Sequence, residues 1–326
     1  MKYGIINMLL CFAISMAFAP IVIKFLRKLK FGQSILVYVE SHQSKSGTPT
    51  MGGIVFIISA IIGYFVFWDV NNIMSTVAIL SFVFFGVVGF LDDFIKIKFK
   101  QNEGLKPYQK IIGQLGIAIV IAIFVYKSGL VGSEVIIPFT DKAIDLSFWI
   151  IPFVIFVYLA IVNSVNLIDG LDGLCGTVSI IVLLAISIIL FILTGDRNTI
   201  FDSEIFNLSI TSMGLVGAVL GFLFFNSHPA RCFMGDAGSL ALGGYIASVF
   251  VLSRQYLLVL LLGLPFVITA VSVIVQVGYY KLTKKRIFKM APLHHHFEML
   301  YGETKVVASY IILTIIVCAL VILFYL

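Results

Sequence analysis

Apolar stretches of about twenty residues recur along this chain from its first residues to Leu326. A helix that crosses the hydrocarbon core of a membrane needs about 20 mainly apolar residues. Hydrophobic residues make up 60% of the 326 residues and charged residues only 12%, whereas soluble domains are roughly half apolar and a quarter charged. A cleaved signal peptide would give one such stretch, followed by ordinary composition. The sequence therefore predicts a polytopic membrane protein with a single domain over residues 1–326.

Ten of these stretches are long enough to cross a bilayer. They lie at about residues 3–26, 52–68, 73–91, 110–127, 148–168, 175–194, 208–226, 239–254, 257–280 and 306–326. Because helices satisfy their own backbone hydrogen bonds in lipid, the pattern predicts an all-α fold with about ten transmembrane helices. Pro265, with Gly263 beside it, predicts a break in the ninth span. The VIIPF sequence between Gly129 and Ser147 predicts a short hairpin.

Most of the 22 lysines and arginines fall in one set of the connecting loops, and Lys24 lies within the first span. The opposite set holds only Lys2, Lys127, Lys142, Arg197 and Arg254. By the positive-inside rule the first set is cytoplasmic, which places both termini outside the cytoplasm. The net charge of +6 is thereby explained by loop position, and no nucleic-acid partner is expected.

Most of the chemically reactive side chains fall on the predicted cytoplasmic side. They include all five histidines and the carboxylates Asp92, Asp93, Asp169, Asp172 and Asp236. A transporter would place ionisable groups near mid-membrane along a path, so this distribution favours an active site at the cytoplasmic face, open to a soluble substrate. A transporter remains the rival interpretation. The four cysteines have no spacing that suits a zinc site or a disulfide framework.

Two carboxylate motifs suit a divalent cation. Asp92 and Asp93 end an apolar span in GFLDDF, where they act as a base, as metal ligands, or as a solvated helix end. Asp236 lies in the glycine-rich segment MGDAGS directly before a span. Magnesium binds one or two carboxylates together with phosphate oxygens, which suits Asp236, although this residue is also placed to cap the next helix.

Three further motifs suit a phosphorylated or nucleotide substrate. In NSVNLIDGLDG the Asp-Gly steps favour turns or helix caps, yet the added amides also suit a nucleobase. In PLHHHFE, consecutive histidines converge on one ion only with irregular backbone, so a histidine that holds a phosphate oxygen is preferred over zinc or an ordinary basic loop helix. KSGTPTMGG is not a Walker loop, but its lysine and hydroxyl groups suit a phosphate or anionic lipid.

Taken together and in this order, five motifs resemble the phospho-N-acetylmuramoyl-pentapeptide-transferase family, within the polyprenyl-phosphate sugar-1-phosphate transferase superfamily. They are GTPTMGG from Gly47, FLDD from Phe90, NLIDGLDG from Asn166, FMGDAGSLALGG from Phe233 and PLHHHFE from Pro292. The resemblance covers essentially the whole chain. Relative to the family, Ala237 replaces a frequent threonine and Cys232 a frequent valine, and neither change removes a charge.

The resemblance implies a Mg2+-dependent enzyme of the cell membrane. It would transfer phospho-N-acetylmuramoyl-pentapeptide from UDP-N-acetylmuramoyl-pentapeptide to undecaprenyl phosphate, giving UMP and the first lipid intermediate of peptidoglycan. The habit of the family to pair suggests a homodimer surrounded by membrane lipids. An enzyme that uses another sugar nucleotide is the alternative, because the related N-acetylglucosamine-phosphate transferases share the aspartates.

The resemblance also assigns roles to residues at matching motif positions. Asp92, Asp93 and His295 would be catalytic, and Asp236 would bind the metal. The substrate-binding residues would be Lys45, Thr50, Lys96, Lys100, Asn166, Asp169, Asp172, Asn226, Phe233 and His296. Phe233 would stack on uracil. Because both reactants are anions, a basic rim is also expected, with Lys96, Lys100 and Lys110 as candidates.

Overall fold

The computed structural model describes residues 1–28, 47–67, 72–99, 104–140, 142–195 and 199–326. Its helices are α1 (Lys2–Lys28), α2 (Gly53–Val66), α3 (Ile73–Lys98), α4 (Pro107–Lys127), α5 (Ile150–Ile168), α6 (Leu174–Leu193), α7 (Ile200–Asn226), α8 (Gly235–Leu252), α9 (Val259–Leu262), α10 (Leu264–Thr283), α11 (Leu293–Tyr301) and α12 (Glu303–Leu323). Two short strands, β1 (Glu134–Ile136) and β2 (Ala143–Asp145), pair antiparallel. The hairpin predicted from VIIPF is confirmed.

Within the described ranges, nine helices are long and apolar enough to cross a membrane, which confirms a polytopic helical protein. The second predicted span is shorter than expected, because α2 has only 14 residues. Such a helix is about 21 Å long, against a hydrocarbon core of about 30 Å. Its start lies one residue after the predicted one, at Gly53. Met51 has φ 68°, and the Gly52 amide donates to the Phe233 carbonyl oxygen at 2.8 Å, so the preceding residues pair with another segment.

The predicted break in the ninth span is confirmed. Helix α9 ends at Leu262, α10 begins at Leu264, and Gly263 lies between them. Pro265 occupies the first turn of α10, where the missing amide proton removes no helical hydrogen bond.

Helices α7 and α8 form the centre of the bundle and are buried along most of their length. Small residues let their neighbours approach closely. A Cβ atom at Gly217 of α7 would lie 1.9 Å from the carbonyl oxygen of Met8 in α1. Close backbone approach at glycine is typical of helix pairs in membranes. This contact fixes the lengthwise position of α1 against α7.

The two chain ends lie at the same face of the bundle. A Cβ atom at Gly4 would lie 3.3 Å from the Phe191 ring near the end of α6, and the ring centroids of Phe324 and Phe139 in the hairpin are 4.9 Å apart. Asp92 in α3, Asp236 in α8 and the segment between α5 and α6 lie at the opposite face. The arrangement agrees with an even number of passes, of which α2 is a short one.

Candidate active site

Three carboxylates from two separate helices meet at the face opposite the chain termini. One oxygen each of Asp92, Asp93 and Asp236 lies within 4.8 Å of the others, and Asp92 and Asp93 are buried. The close approach of α3 and α8 brings them together, since a Cβ atom at Gly89 would lie 2.0 Å from the Asp236 carbonyl oxygen. We call these three residues the acid cluster. Their convergence is the arrangement that the sequence predicted.

Two lysines contact the acid cluster directly. Lys96 follows Asp92 by one helical turn. Its Nζ lies 2.5 Å from Asp92 Oδ2 and 2.6 Å from Asp236 Oδ2. Lys110 Nζ, from the start of α4, lies 3.3 Å from Asp236 Oδ2. Their charges offset the mutual repulsion of the carboxylates. Lys100, the third predicted cation of this rim, lies outside the described residues.

Hydrogen bonds fix each carboxylate of the acid cluster. Asp92 Oδ1 accepts from the Leu105 amide at 2.8 Å, and Asp93 Oδ2 accepts from the Ala237 amide at 3.0 Å. Helix α8 has no side-chain cap, and Asp236 lies in its first turn, so the capping interpretation of Asp236 is wrong. Its charge there is favourable to the helix dipole.

Asn166, predicted to bind substrate, contacts the acid cluster. Its Nδ2 donates to Asp236 Oδ1 at 2.7 Å and to Ser239 Oγ at 2.8 Å. Its Oδ1 accepts from Lys110 Nζ at 3.2 Å. The amide therefore orients the predicted metal ligand, and its role toward substrate stays a prediction. Sequence reasoning missed Ser239, which follows Asp236 by less than one turn.

Asp169 lies at the end of α5, beside the acid cluster. Burial, together with the charges of Asp236 and Asp93, raises the pKa of Asp169 well above its usual value. Helix α6 begins after Gly173, at φ 75°, and has no side-chain cap. The interpretation of Asp169 and Asp172 as caps of α6 is therefore wrong.

Asp172 joins two residues that sequence reasoning missed. Its Oδ2 lies 3.2 Å from His228 Nδ1 and accepts from the Ala230 amide at 3.0 Å. Glu303 Oε1 accepts from the Asp172 amide at 2.8 Å, and Glu303 Oε2 lies 3.3 Å from His228 Nδ1. The spacing of the three side chains would also suit an ion. No sequence motif links Glu303 to Asp172, which it follows by 131 positions.

The three adjacent histidines of α11 have different surroundings. His294 is buried, and burial, then the neighbouring His295, lowers its pKa to about 3. His295 Nδ1 lies 2.8 Å from Glu298 Oε2. His296 Nδ1 accepts from the Lys289 amide at 3.2 Å. The ring centroids of His294 and His295 lie 4.4 Å apart, so these two rings are neighbours, whereas His296 contacts a different segment.

The DGLDG loop packs directly on this histidine helix. A Cβ atom at Gly170 would lie 2.6 Å from His295 Nε2 and 2.7 Å from His294 Nε2. Only glycine allows that approach without displacing the rings. The predicted catalytic His295 thus adjoins the loop that carries Asp169 and Asp172.

Other predicted substrate residues lie on two paired segments. The Phe233 amide donates to the Pro49 carbonyl oxygen at 2.9 Å, and the ring is half-buried. Asn226 Nδ2 donates to the Cys232 carbonyl oxygen at 3.0 Å. A Cβ atom at Gly235 would lie 2.8 Å from Thr50 Oγ1 and 2.5 Å from Asp93 Oδ2, so Thr50 borders the acid cluster. Lys45 lies outside the described residues.

Known protein families and relatives match nearly the whole chain. Residues 74–254 match the family model "Glycosyl transferase family 4", and residues 45–57 match "Phospho-N-acetylmuramoyl-pentapeptide-transferase signature 1". The chain is 43% identical over 320 residues to the phospho-N-acetylmuramoyl-pentapeptide-transferase of Clostridium novyi (strain NT), which covers 98% of this chain and 95% of the relative. It is 45% identical over 314 residues to the enzyme of the same name from Thermoanaerobacter sp. (strain X514). That alignment covers 96% of this chain and 95% of the relative. The chain belongs to the phospho-N-acetylmuramoyl-pentapeptide-transferase family.

The family models and the full-length relatives match different parts of the site. The signature match contains Thr50, and the broader glycosyl transferase match contains all three residues of the acid cluster. That match ends at residue 254, before α11. The histidine helix is reached only by the relatives that match nearly the whole chain. The predicted family is therefore confirmed, whereas the roles of individual residues stay predictions.

Proposed function

We propose that this enzyme transfers phospho-N-acetylmuramoyl-pentapeptide from UDP-N-acetylmuramoyl-pentapeptide to undecaprenyl phosphate, with release of UMP. The observation that carries the proposal is the convergence of Asp92, Asp93 and Asp236 with Lys96 and Lys110 at one end of a membrane-spanning bundle. At that position a soluble sugar nucleotide and a lipid-borne phosphate are able to meet. Membership of the transferase family supports the same reaction.

The acid cluster fits a magnesium ion. Carboxylate oxygens are the hard ligands that this ion prefers, and the three oxygens lie close enough together to share one cation. Asp236 would hold the ion with Asp92 or Asp93. When bound, magnesium would neutralise charge on the phosphates. Lys96 and Lys110 supply further positive charge beside the same carboxylates.

The remaining residues would mainly position the reactants, because phosphoryl transfer depends on placement and charge neutralisation. The second pKa of a phosphate monoester is about 6, so the lipid phosphate is mostly dianionic at neutral pH and needs no strong base. Asp92 and Asp93 would align it through Lys96, which contacts both carboxylates. His295, oriented by Glu298, would support the pyrophosphate.

The uridine would occupy the region of Asp169, Asp172, Asn226 and Phe233. The loops that carry these residues adjoin the acid cluster or the histidine helix. The half-buried Phe233 ring is suited to stack on a base. We place this face in the cytoplasm, because the basic residues of the chain are concentrated there.

A substrate competition assay tests the function. The purified protein receives undecaprenyl phosphate, Mg2+ and an equimolar mixture of UDP-N-acetylmuramoyl-pentapeptide and UDP-N-acetylglucosamine, and UMP and both lipid products are quantified. We expect consumption of the muramoyl nucleotide alone and loss of turnover with a chelator. Consumption of the glucosamine nucleotide would favour the alternative transferase. If the folded protein releases no UMP, transferase activity is rejected and the rival interpretation as a transporter is favoured.

A further inference from the structure

A cationic pocket lies at the end of α1, built from different residues than the acid cluster. It has a volume of about 260 Å³ and is lined by Pro20, Ile23, Lys24, Arg27, Phe225 and Arg231. Three of these six residues are basic and none is acidic. None of the six has a role in the proposed reaction.

The framework of the pocket is the close packing of α1 against α7. A Cβ atom at Gly221 would lie 2.8 Å from the Phe12 carbonyl oxygen of α1, so the two backbones are nearly in contact one turn before Phe225. The Arg231 amide donates to the Phe225 carbonyl oxygen at 2.8 Å. The last turns of α1 and the segment after α7 therefore present their cations from one packed unit.

The surface next to the pocket is strongly apolar. Ile21 is 63% exposed, Phe25 60% and Phe224 63%, and all three lie on helices long enough to span the membrane. Exposed apolar side chains on such helices are suited to contact with the hydrocarbon of a bilayer. An apolar strip that ends at a group of cations matches a molecule with an apolar chain and an anionic head.

The cations of the pocket lack acidic partners in the part of the chain that the structure describes. Where both partners are described, the ion pairs of lysine and arginine with a carboxylate involve Lys96, Lys110 and Arg254 instead. Adjacent positive charges repel one another, and an anion between them would relieve that repulsion. A two-fold contact centred on this pocket would bring the cations of two copies together, so a second copy of this chain is a poor occupant there.

We propose that this pocket binds the phosphate of an anionic phospholipid, of the phosphatidylglycerol class. Lys24, Arg27 and Arg231 hold the headgroup, and the acyl chains lie along Ile21, Phe25 and Phe224. Basic pockets between membrane helices on the cytoplasmic side are suited to such headgroups. The lipid is a bound component of the protein and takes no part in the transfer reaction, so the proposal stands apart from the proposed function.

Native mass spectrometry tests the site. The protein is purified in detergent, supplied with phosphatidylglycerol or phosphatidylcholine, and the fraction that retains one lipid is measured. Each basic residue near the surface contributes about fivefold in affinity, so the triple variant K24Q/R27Q/R231Q is expected to weaken phosphatidylglycerol retention by about 10²-fold. The matched control K281Q/K284Q/R286Q removes the same charge from exposed residues at the end of α10 and should retain the lipid as the unmodified protein does.

Three results would overturn the proposal. They are equal retention by the pocket variant and the unmodified protein, equal losses in the two triple variants, and retention of phosphatidylcholine as strong as that of phosphatidylglycerol. Displacement by an equal concentration of undecaprenyl phosphate would assign the pocket to the acceptor substrate and would also overturn it.

Three measurements keep the test decisive if the triple variant does not fold. The single variant R231Q should weaken retention about fivefold. The charge-preserving variant K24R/R27K/R231K should keep the lipid. In addition, phosphatidylglycerol should raise the melting temperature of the delipidated unmodified protein and of the α10 control more than phosphatidylcholine does. No such difference in the unmodified protein would contradict the site.

Discussion

At the scale of single residues, the geometry of Asp92 argues for a positioning role. One of its oxygens accepts from the Leu105 amide and the other contacts Lys96, so both are already engaged. We predict that Asp92→Asn lowers kcat by about 10²-fold, the size of loss that misplacement of the reacting groups causes. Because the acceptor phosphate is mostly ionised at neutral pH, the deficit should stay constant as pH rises from about 7 to about 9.

The measurement is kcat against pH for the variant and the unmodified protein at saturating substrates. Asp145→Asn is a suitable control, because this carboxylate is exposed in the hairpin at the opposite face. A deficit that shrinks as pH rises would make Asp92 a proton acceptor instead.

His294 gives a residue-scale prediction about stability. Its pKa is about 3 in the folded protein and about 6.5 in an unfolded chain. Between these values the unfolded state binds the additional proton, so stability falls as pH falls through this window. At pH 5 the expected cost is about 2 kcal/mol.

Equilibrium unfolding in mixed micelles at about pH 7.5 and about pH 5 measures this cost. Phenylalanine has no proton to gain, so His294→Phe should lose less stability than the unmodified protein between the two pH values. Other groups titrate in both proteins and cancel in the comparison. Equal losses would contradict the assignment.

The sequence predicted which carboxylates converge but not how they are held. Asp92, Asp93 and Asp236 end or begin apolar spans on one side, so the motif positions alone placed them near one another. The bond from Asn166 to Asp236 joins positions 70 apart and depends on the lengthwise alignment of α5 and α8. The partners of Asp172 likewise depend on where α12 starts, which no local pattern reports.

At the scale of helices, the close approach of α3 and α8 sets the geometry of the acid cluster. A Cβ atom at Gly89 would lie 2.0 Å from the Asp236 carbonyl oxygen, and that backbone atom cannot rotate away. We predict that Gly89→Ala separates the two helices, destabilises the protein by about 1–3 kcal/mol and lowers kcat at least tenfold.

Gly116→Ala is the matched control, because a Cβ atom there meets no other atom within 4 Å and alanine favours the helix by roughly 0.5–1 kcal/mol. Melting temperature and UMP release are measured for both variants. Activity of Gly89→Ala equal to that of Gly116→Ala would show that the close contact does not set the site.

Local chemistry explains which helix boundaries were predictable. The break at Gly263 follows from Pro265, whose effect on the backbone is local. The short α2 has no such signal, because residues 52–66 read as a continuous apolar run. Its start is set by the pairing of Gly52 with Phe233, a contact between segments that are far apart in the sequence.

At the scale of the whole molecule, the number of membrane passes between the motifs explains why they lie at one face. Each pass reverses direction, so segments separated by an even number of passes lie at the same face. The motifs of α3, α8 and α11 therefore meet at one end, while the chain termini and the hairpin lie at the other. The basic residues on the motif side then predict which end is cytoplasmic.

Cysteine labelling in cells tests that orientation. The four native cysteines are buried, so single reporters at exposed positions give a clean signal. We predict that Lys142→Cys, beside β2, reacts with a membrane-impermeant maleimide in intact cells, once any outer envelope is permeabilised. Lys285→Cys, after α10, should react only when the cytoplasmic membrane is opened. Both positions are exposed, so access to the reagent decides the result. The opposite pattern would place the acid cluster outside the cell, away from the cytoplasmic pool of sugar nucleotides, and would be incompatible with the proposed reaction.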